Sequence, residues 1–269
     1  MPTDCIPFRD TQYFSQLICD YLDQNSQLQP FYNRFPSLEN FKLQIEEKQQ
    51  TFSEESRKVL VESLQKQYQG LSLSEETSQR ILGLQQSNTF TVTTGHQLNI
   101  FTGPLYFLYK IVSTINLCKQ LKEAYPDHNF VPVYWMAAED HDFDEINYFN
   151  FNNKKIVWNR KASGAVGELD TQGLSEVLDI FSKELGVGHN AEAIKQLFEK
   201  AYLGHVNLAS ATRYLVNELF GNLGLVIIDA NEKALKTQFI PYILKDVLDN
   251  VANQKVTETN EKLNALSDG

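Results

Sequence analysis

Residues 89–145 have the sequence TFTVTTGHQLNIFTGPLYFLYKIVSTINLCKQLKEAYPDHNFVPVYWMAAEDHDFDE. The stretch opens with an apolar run, Thr89–Thr94, and a second apolar run occupies Phe130–Met136. Between them, Leu105 to about Tyr125 carries apolar residues at helical spacing, as expected of a helix that packs on a sheet. The pattern predicts two strands joined by a helix, the unit from which the parallel sheets of α/β proteins are built.

Each predicted strand is followed by a cluster of polar residues. The first cluster lies within residues 95–103 and the second within residues 139–145. The carboxyl ends of parallel strands meet at one edge of an open sheet, and ligands bind at that edge. The sequence therefore predicts that the two clusters together form an active site.

The first cluster combines a glycine turn with the start of a helix, which is a general cradle for phosphate or carboxylate groups. Pro104 suits the first helical turn, so we expect the backbone amides near Thr102 and Gly103 to be free for an anion. The glycine spacing matches neither the dinucleotide-binding pattern nor the P-loop. An ordinary connecting loop would explain the glycines equally well. The polar side chains of His96 and Gln97, which could form hydrogen bonds to a ligand, favour a ligand-binding loop. The binding candidates of this cluster are Gly95, His96, Gln97, Asn99, Thr102 and Gly103.

The second cluster holds five carboxylates and one histidine within seven residues. Close carboxylates raise one another's pKa, and a nearby histidine titrates near neutral pH, which together suit general acid–base catalysis. The same side chains would also suit a divalent metal ion. In an extended chain the three aspartates would face one way, and Glu139, His141 and Glu145 the other. The candidate catalytic residues are Glu139, Asp140, His141, Asp142 and Asp144.

A solvated acidic loop is the alternative interpretation of the second cluster. Such loops are normally remote from apolar sequence, whereas this one directly follows the second apolar run and contains Phe143. Two further binding candidates are Trp135, near the end of that run, and Asp229, which follows a third apolar run at Leu225–Ile228. A helix N-cap explains Asp229 at least as well as ligand binding does.

Composition limits the class of protein. The chain has 269 residues, 42% hydrophobic content and a net charge of −10, which fits a globular protein and argues against nucleic-acid binding driven by phosphate contacts. We expect no membrane span and no signal peptide, because no apolar stretch of the required length or type is present. The three widely spaced cysteines fit neither a disulfide framework nor a zinc site, so a reducing cytoplasm with free thiols is expected.

The pattern along the chain predicts five segments. Residues 1–86 form a helical region, residues 87–146 the first part of the core, and residues 147–222 an insertion of a hairpin followed by helices. Residues 223–251 return to the core, with Asn231 capping a helix that runs through Val251, and residues 252–269 begin a further helical region. Within the insertion, Gly164–Leu169 is expected to add a strand.

Three blocks, Thr94–Tyr106, Val131–Ile146 and Gly224–Ala230, resemble motifs of the cysteine-adding enzymes (cysteine ligases) of bacillithiol biosynthesis. The resemblance spans essentially the whole chain, which covers only about half of that family's usual length. It implies a Rossmann-like core similar to class I nucleotidyltransferases, with a long helical coiled coil and, in the full-length protein, a homodimer. It also implies that Thr94–Pro104 occupies the place of a nucleotide-binding signature.

The implied reaction adds L-cysteine to the amine of glucosaminyl-malate in the last step of bacillithiol biosynthesis. Because a carboxylate does not condense with an amine unaided, ATP is the expected activating cofactor, and no residue is assigned as a metal ligand. On this hypothesis the first cluster holds the anionic or activated group, the second binds amines and moves protons, and Asp229 fixes a hydroxyl or amine. Two alternatives remain: another adenylate-forming ligase or nucleotidyltransferase on the same core, and a non-catalytic, truncated binding module.

Overall fold

The computed structural model describes residues 4–267, and its backbone contacts divide the chain into two compact units. The larger unit is residues 49–239, and the second unit combines residues up to 48 with residues from 240 onward. None of the helices in the described residues has both the length and the apolar character of a bilayer-spanning segment.

The N-terminal region is helical, as the sequence predicts. Serine side chains begin three of its helices, because Ser15, Ser53 and Ser74 each accept a hydrogen bond from a backbone N–H of the first turn. The helices are α1 (Gln16–Leu22), α2 (Leu38–Thr51), α3 (Glu54–Gln67) and α4 (Glu75–Gly83), with 3-10 turns at Phe8–Thr11 and Gln29–Phe31.

The predicted strand–helix–strand unit is present as β1 (Thr89–Gln97), α5 (Tyr106–Ala124) and β2 (Asn129–Ala137). The insertion that follows contains α6 (Phe143–Ile146), a hairpin of β3 (Tyr148–Phe151) and β4 (Lys154–Val157), and the helices α7 (Leu174–Leu185), α8 (His189–Leu203) and α9 (Leu208–Phe220). The chain then returns to the sheet with β5 (Val226–Asp229) and continues as α10 (Lys233–Gln238), α11 (Ile240–Asp249) and α12 (Val251–Ser267).

Two predictions about these later elements are wrong. Gly164–Leu169 is not a strand, because Val166–Glu168 forms a 3-10 turn whose amides bond to the loop after β2: Val166 N–H to the Asp140 carbonyl and Gly167 N–H to that of Ala138. The helix expected from Asn231 to Val251 is instead two helices, α10 and α11, and α12 begins only at Val251. Asn250 interrupts it with a φ of 53°, and the Asn231 side chain caps none of them.

The sheet is parallel with strand order β1-β2-β5. Thr89 pairs with Asn129 and Gln97 with Ala137, so β1 and β2 run together over their full nine residues. Met136 pairs with Asp229 at the end of β5. The carboxyl ends of all three strands therefore lie at one edge, as predicted for an α/β fold.

Side chains satisfy the outer edge of β5. The Tyr68 hydroxyl accepts the Ile227 N–H at 2.7 Å, and the buried Arg213 guanidinium donates to the Ile227 carbonyl at 2.9 Å. Gln67 both accepts the Asp229 N–H (2.8 Å) and donates to the Asp229 carbonyl (3.2 Å). Because buried backbone groups without partners are costly, these contacts stabilise the end of β5 in the absence of a neighbouring strand on that side among the described residues.

Gly167 lies close against Ala138, just after the carboxyl end of β2. A Cβ atom there would lie 2.7 Å from the Ala138 Cβ and 2.8 Å from the Ala138 carbonyl oxygen. Replacing Gly167 with alanine is therefore expected to destabilise the fold by about 1–3 kcal/mol, the usual cost of overpacking, as measured by urea unfolding.

Gly83 provides the matched control for this prediction. A Cβ atom there would meet nothing within 4 Å, and the residue ends helix α4. Gly83→Ala should be neutral or stabilise by up to about 1 kcal/mol. Equal unfolding free energies for Gly167→Ala and the unaltered protein would contradict the close contact.

Candidate active site

The loop between β1 and α5 contains a left-handed turn. Phe101, Thr102 and Gly103 have φ values of 52°, 64° and 47°, and the Gly103 N–H donates to the Ile100 carbonyl at 2.9 Å. Left-handed backbone costs about 1–2 kcal/mol at each residue other than glycine. At Gly103 a Cβ atom would also lie 2.7 Å from the Asn99 Cβ, so both conformation and space require glycine there.

The prediction that the backbone amides near Thr102 and Gly103 are free for an anion holds at only one of the two residues. The Gly103 amide is not free for an anion, because it closes the left-handed turn. In the described part of the chain, the N–H groups of Thr102, Leu105 and Tyr106 have no hydrogen-bond acceptor. The N–H groups of this loop that are open to a ligand are therefore those of Thr102 and of the first turn of α5.

His96 is a neutral hydrogen-bonding group. Burial lowers the pKa of its imidazole; the hydrogen bond to the Gln97 carbonyl opposes this in part, and nearby Lys110 adds to the lowering. Its Nδ1 lies 2.7 Å from the Gln97 carbonyl oxygen, which assigns the proton to Nδ1 and leaves Nε2 as an acceptor. Nε2 is buried and has no partner among the described residues. The ring is held against Tyr106 and Phe107, with centroid distances of 5.1 and 5.2 Å.

Gln97 connects the two polar clusters. Its side-chain amide donates one hydrogen bond to Asp140 Oδ2 at 2.8 Å and another to Glu145 Oε2 at 2.9 Å. In an extended chain these two carboxylates would face opposite ways, whereas here both reach the same amide group. A turn at residues 138–139 and irregular chain at residues 140–142 precede α6, which begins at the buried Phe143 and ends at the buried Ile146.

Asp140 stays ionised. Its pKa is held below the ordinary value of 3.8, first by the Asp142 backbone N–H, which donates to Oδ1 at 3.0 Å, and then by the Gln97 amide. The expectation that the clustered carboxylates raise one another's pKa is wrong at this residue, because hydrogen bonds to the charged form outweigh repulsion. Among residues 4–267, no group of three or more His, Cys, Asp or Glu side chains is placed to hold a metal ion.

A cavity of about 620 Å³ lies over the carboxyl end of β1. It brings together most of the first cluster with Glu145, but Asp140 and the exposed Glu139, His141, Asp142 and Asp144 do not line it. Gly95 and Trp135, which are paired across β1 and β2, also lie outside its lining. The lining residues include His96, Gln97, Asn99, Thr102, Gly103, Tyr106, Glu145, Tyr148 and Asn150.

Comparison with known proteins agrees with this architecture. A family model described as "Bacillithiol biosynthesis BshC, N-terminal Rossmann-like domain" matches residues 1–268. The chain belongs to this family. The resemblance expected from the three sequence blocks and the Rossmann-like α/β fold class are both confirmed.

The relatives are proteins of about twice this length. The chain is 58% identical over 268 residues to the "Putative cysteine ligase BshC" of Flavobacterium psychrophilum, covering 99% of the chain and 50% of the relative. A protein of the same name from Christiangramia forsetii is 53% identical over 270 residues, with the same coverage. One from Bacillus mycoides is 28% identical over 235 residues, covering 84% of the chain and 43% of the relative. The chain thus spans about half the length of the curated BshC relatives that it matches.

Asp229 lines a separate cleft at the end of β5, of about 200 Å³. Its Oδ1 accepts the Asn231 N–H at 2.9 Å, which is an Asx turn, while the N-cap position of α10 is Glu232. Both Glu168 and Glu232 line this cleft as well. The structure thus does not bring Asp229 into the cavity that holds the first cluster.

Sequence reasoning missed four polar lining residues of the main cavity: Tyr106, Glu145, Tyr148 and Asn150. Tyr106 could have been found, because it begins the helix directly after the loop. Tyr148 and Asn150 sit on β3, and only the fold of the insertion brings that strand over the loop, so no local pattern marks them.

Removing the Gln97 amide should raise the pKa of Asp140. In Gln97→Leu we expect that pKa to move toward 3.8 but to stay below it, since the Asp142 N–H remains. NMR titration of the carboxyl carbon would measure the shift. Gln79→Leu is the control, because the Gln79 amide also donates to a carboxylate, Glu75, but far from Asp140. An unchanged Asp140 pKa in Gln97→Leu would contradict the bridge.

The same pKa shift links stability to pH. A carboxyl whose pKa is depressed on folding stabilises the folded protein above its unfolded pKa, and that stabilisation is lost as pH falls through the folded value. The contribution of Asp140 is therefore fully present at neutral pH and lost below about pH 3.8. The loss on acidification should be smaller in Gln97→Leu than in the unaltered protein.

Proposed function

We propose that this chain forms the core of a ligase that adds L-cysteine to the amine of glucosaminyl-malate in the last step of bacillithiol biosynthesis. Family membership supports the pathway, and the names of the relatives support the reaction type. The observation that carries the proposal is the Gln97 bridge. It joins a loop suited to anionic groups to a loop rich in carboxylates at the edge of one cavity.

The β1–α5 loop would bind the group that carries negative charge. The open N–H groups of Thr102, Leu105 and Tyr106 point to anion binding, and the His96 Nε2 can accept a hydrogen bond from a hydroxyl or amine. These donors fit a nucleotide phosphate or a substrate carboxylate. ATP, when bound, would supply the activation that an amide-forming carboxylate needs.

The acidic loop would receive the amine. An ammonium group is attracted to ionised carboxylates, and Asp140 and Glu145 are held close together by their shared donor. Amide formation requires the amine to lose a proton before it attacks. His141 is exposed beside these carboxylates and is the group that we assign to accept that proton.

A second candidate function is a binding module. Four of the five candidate catalytic side chains are exposed, and none of the five lines the cavity, which favours a chain that holds substrates for groups supplied by the rest of a longer protein. Another adenylate-forming ligase on the same core would instead process a different acceptor, so exchanging glucosaminyl-malate for other amines separates that alternative.

The full-length protein, by the same proposal, acts in the cytoplasm and forms a homodimer. Light scattering of a protein of the relatives' full length that contains this chain would measure its mass. A monomeric mass would contradict the dimer without affecting the proposed reaction.

Turnover provides the direct test of the ligase. A protein of the relatives' full length that contains this chain should form bacillithiol from cysteine and glucosaminyl-malate, detected by mass, only when ATP and Mg²⁺ are present. His141→Ala should lower turnover by about 10²–10⁴-fold, the usual contribution of general acid–base catalysis, without loss of folding. His189→Ala, at the exposed start of α8, is the matched control and should retain full turnover.

The contrary outcomes are distinct. Full turnover in His141→Ala would remove this residue from the mechanism. Formation of product without ATP would overturn activation by ATP, but glucosaminyl-malate would remain the acceptor of cysteine. No product from folded protein under either condition would overturn the ligase and favour the binding module.

A further inference from the structure

An aromatic cluster from the insertion encloses the left-handed turn of the cavity loop. Phe101, the first residue of that turn, is only 4% exposed. The cluster around it comes from three other elements, with ring centroids between 4.8 and 5.5 Å from that of Phe101: Phe149 on β3, Phe181 on α7, and Phe198 and Tyr202 on α8. The side chain that occupies the strained position is therefore locked by residues far from it in sequence.

Tyr202 contacts the turn in two ways. Its hydroxyl accepts the backbone N–H of Phe101 at 2.7 Å, and its ring packs against the Phe101 ring at 4.8 Å. Tyr202 is fully buried and is separated from Phe101 by 101 residues. One side chain therefore fixes both the backbone and the side chain of the residue that begins the turn.

The conformation of the turn requires such support. A bulky residue with positive φ is an outlier that persists only where its surroundings over-determine it. The next two residues, Thr102 and Gly103, line the cavity, and the turn continues directly into Pro104 and the start of α5. Relaxation at Phe101 would displace these cavity-lining residues.

We propose that Tyr202 is a positioning residue for the candidate active site, holding Phe101 in its left-handed conformation so that Thr102 and the start of α5 stay aligned with the cavity. Tyr202 does not line the cavity. The insertion thereby contributes to ligand affinity through the loop. This effect on affinity rests on the proposed function, whereas the effect on the turn does not.

Tyr202→Phe is the sharpest test, because it removes one oxygen atom and keeps the ring. Tyr68→Phe is a matched control. Tyr68 is also buried, and its hydroxyl also accepts a backbone N–H at 2.7 Å, but that N–H belongs to Ile227 on β5. Both variants lose the same kind of bond, so any general loss of stability should be similar.

Amide exchange, measured residue by residue by NMR, reports the turn itself. The informative amide is that of Gly103, because its acceptor, the Ile100 carbonyl, is untouched by either substitution. We expect Tyr202→Phe to speed Gly103 exchange by about tenfold, as loss of one buried hydrogen bond allows, and Tyr68→Phe to leave it unchanged. Unchanged Gly103 exchange in Tyr202→Phe would overturn the proposal.

The effect on affinity is measured by enzyme kinetics. The protein used has the full length of the relatives and contains this chain. Tyr202→Phe should raise the KM for ATP by about tenfold with kcat nearly unchanged, since it weakens binding without touching the reacting groups. Tyr68→Phe should change neither. Faster Gly103 exchange with an unaltered KM would overturn the link to the ligand. Absence of product from the unaltered protein would refute only the proposed function, because exchange still decides the role at the turn.

Phe198→Leu is a second variant for the case in which Tyr202→Phe does not fold. It thins the packing around Phe101 and leaves the Tyr202 hydroxyl bond in place. Gly103 exchange should again become faster, by less than in Tyr202→Phe. No change would count against support of the turn by the cluster.

Discussion

The site depends on one amide group that satisfies two carboxylates at once. Asp140 and Glu145 would repel each other at the distance that a shared donor imposes, and Gln97 offsets that repulsion with one N–H for each. Because Gln97 ends β1, the acidic loop is tied directly to the sheet. Loss of this contact would leave both carboxylates without the donor that they share, and the backbone bonds from Val166 and Gly167 and the burial of Phe143 and Ile146 would be left to hold the loop.

The sequence predicted the core closely because its signals are local. The two apolar runs and the helical spacing between them were sufficient to place β1, α5 and β2 within a few residues. Strand β1 was predicted to end at Thr94. It continues to Gln97 because backbone pairing with β2 continues past the apolar run. The acidic loop is not extended. Phe143 and Ile146 are three apart and both buried, so their helical spacing, rather than the charges around them, determines its conformation.

Contacts between distant residues were beyond such reasoning. Tyr202 supports the loop through its hydroxyl and its ring, and the Gln67 side chain holds the backbone of Asp229. In the sequence, neither residue can be told from an ordinary helix residue. The Asp140 pKa was mispredicted for the same reason: charge spacing along a chain reveals repulsion but not the N–H groups that a fold directs at a carboxylate. Prediction from sequence succeeds where the periodic spacing of apolar residues determines the structure. It fails where a single contact between residues distant in sequence determines it.

The outer edge of β5 is not available for pairing with a further strand. With the hydroxyl of Tyr68, the amide of Gln67 and the guanidinium of Arg213 occupying its backbone groups, that edge offers no template to another extended segment. The other edge of the sheet is β1, whose carboxyl end borders the cavity. A strand added at that edge would lie on the same flank of the sheet as the site.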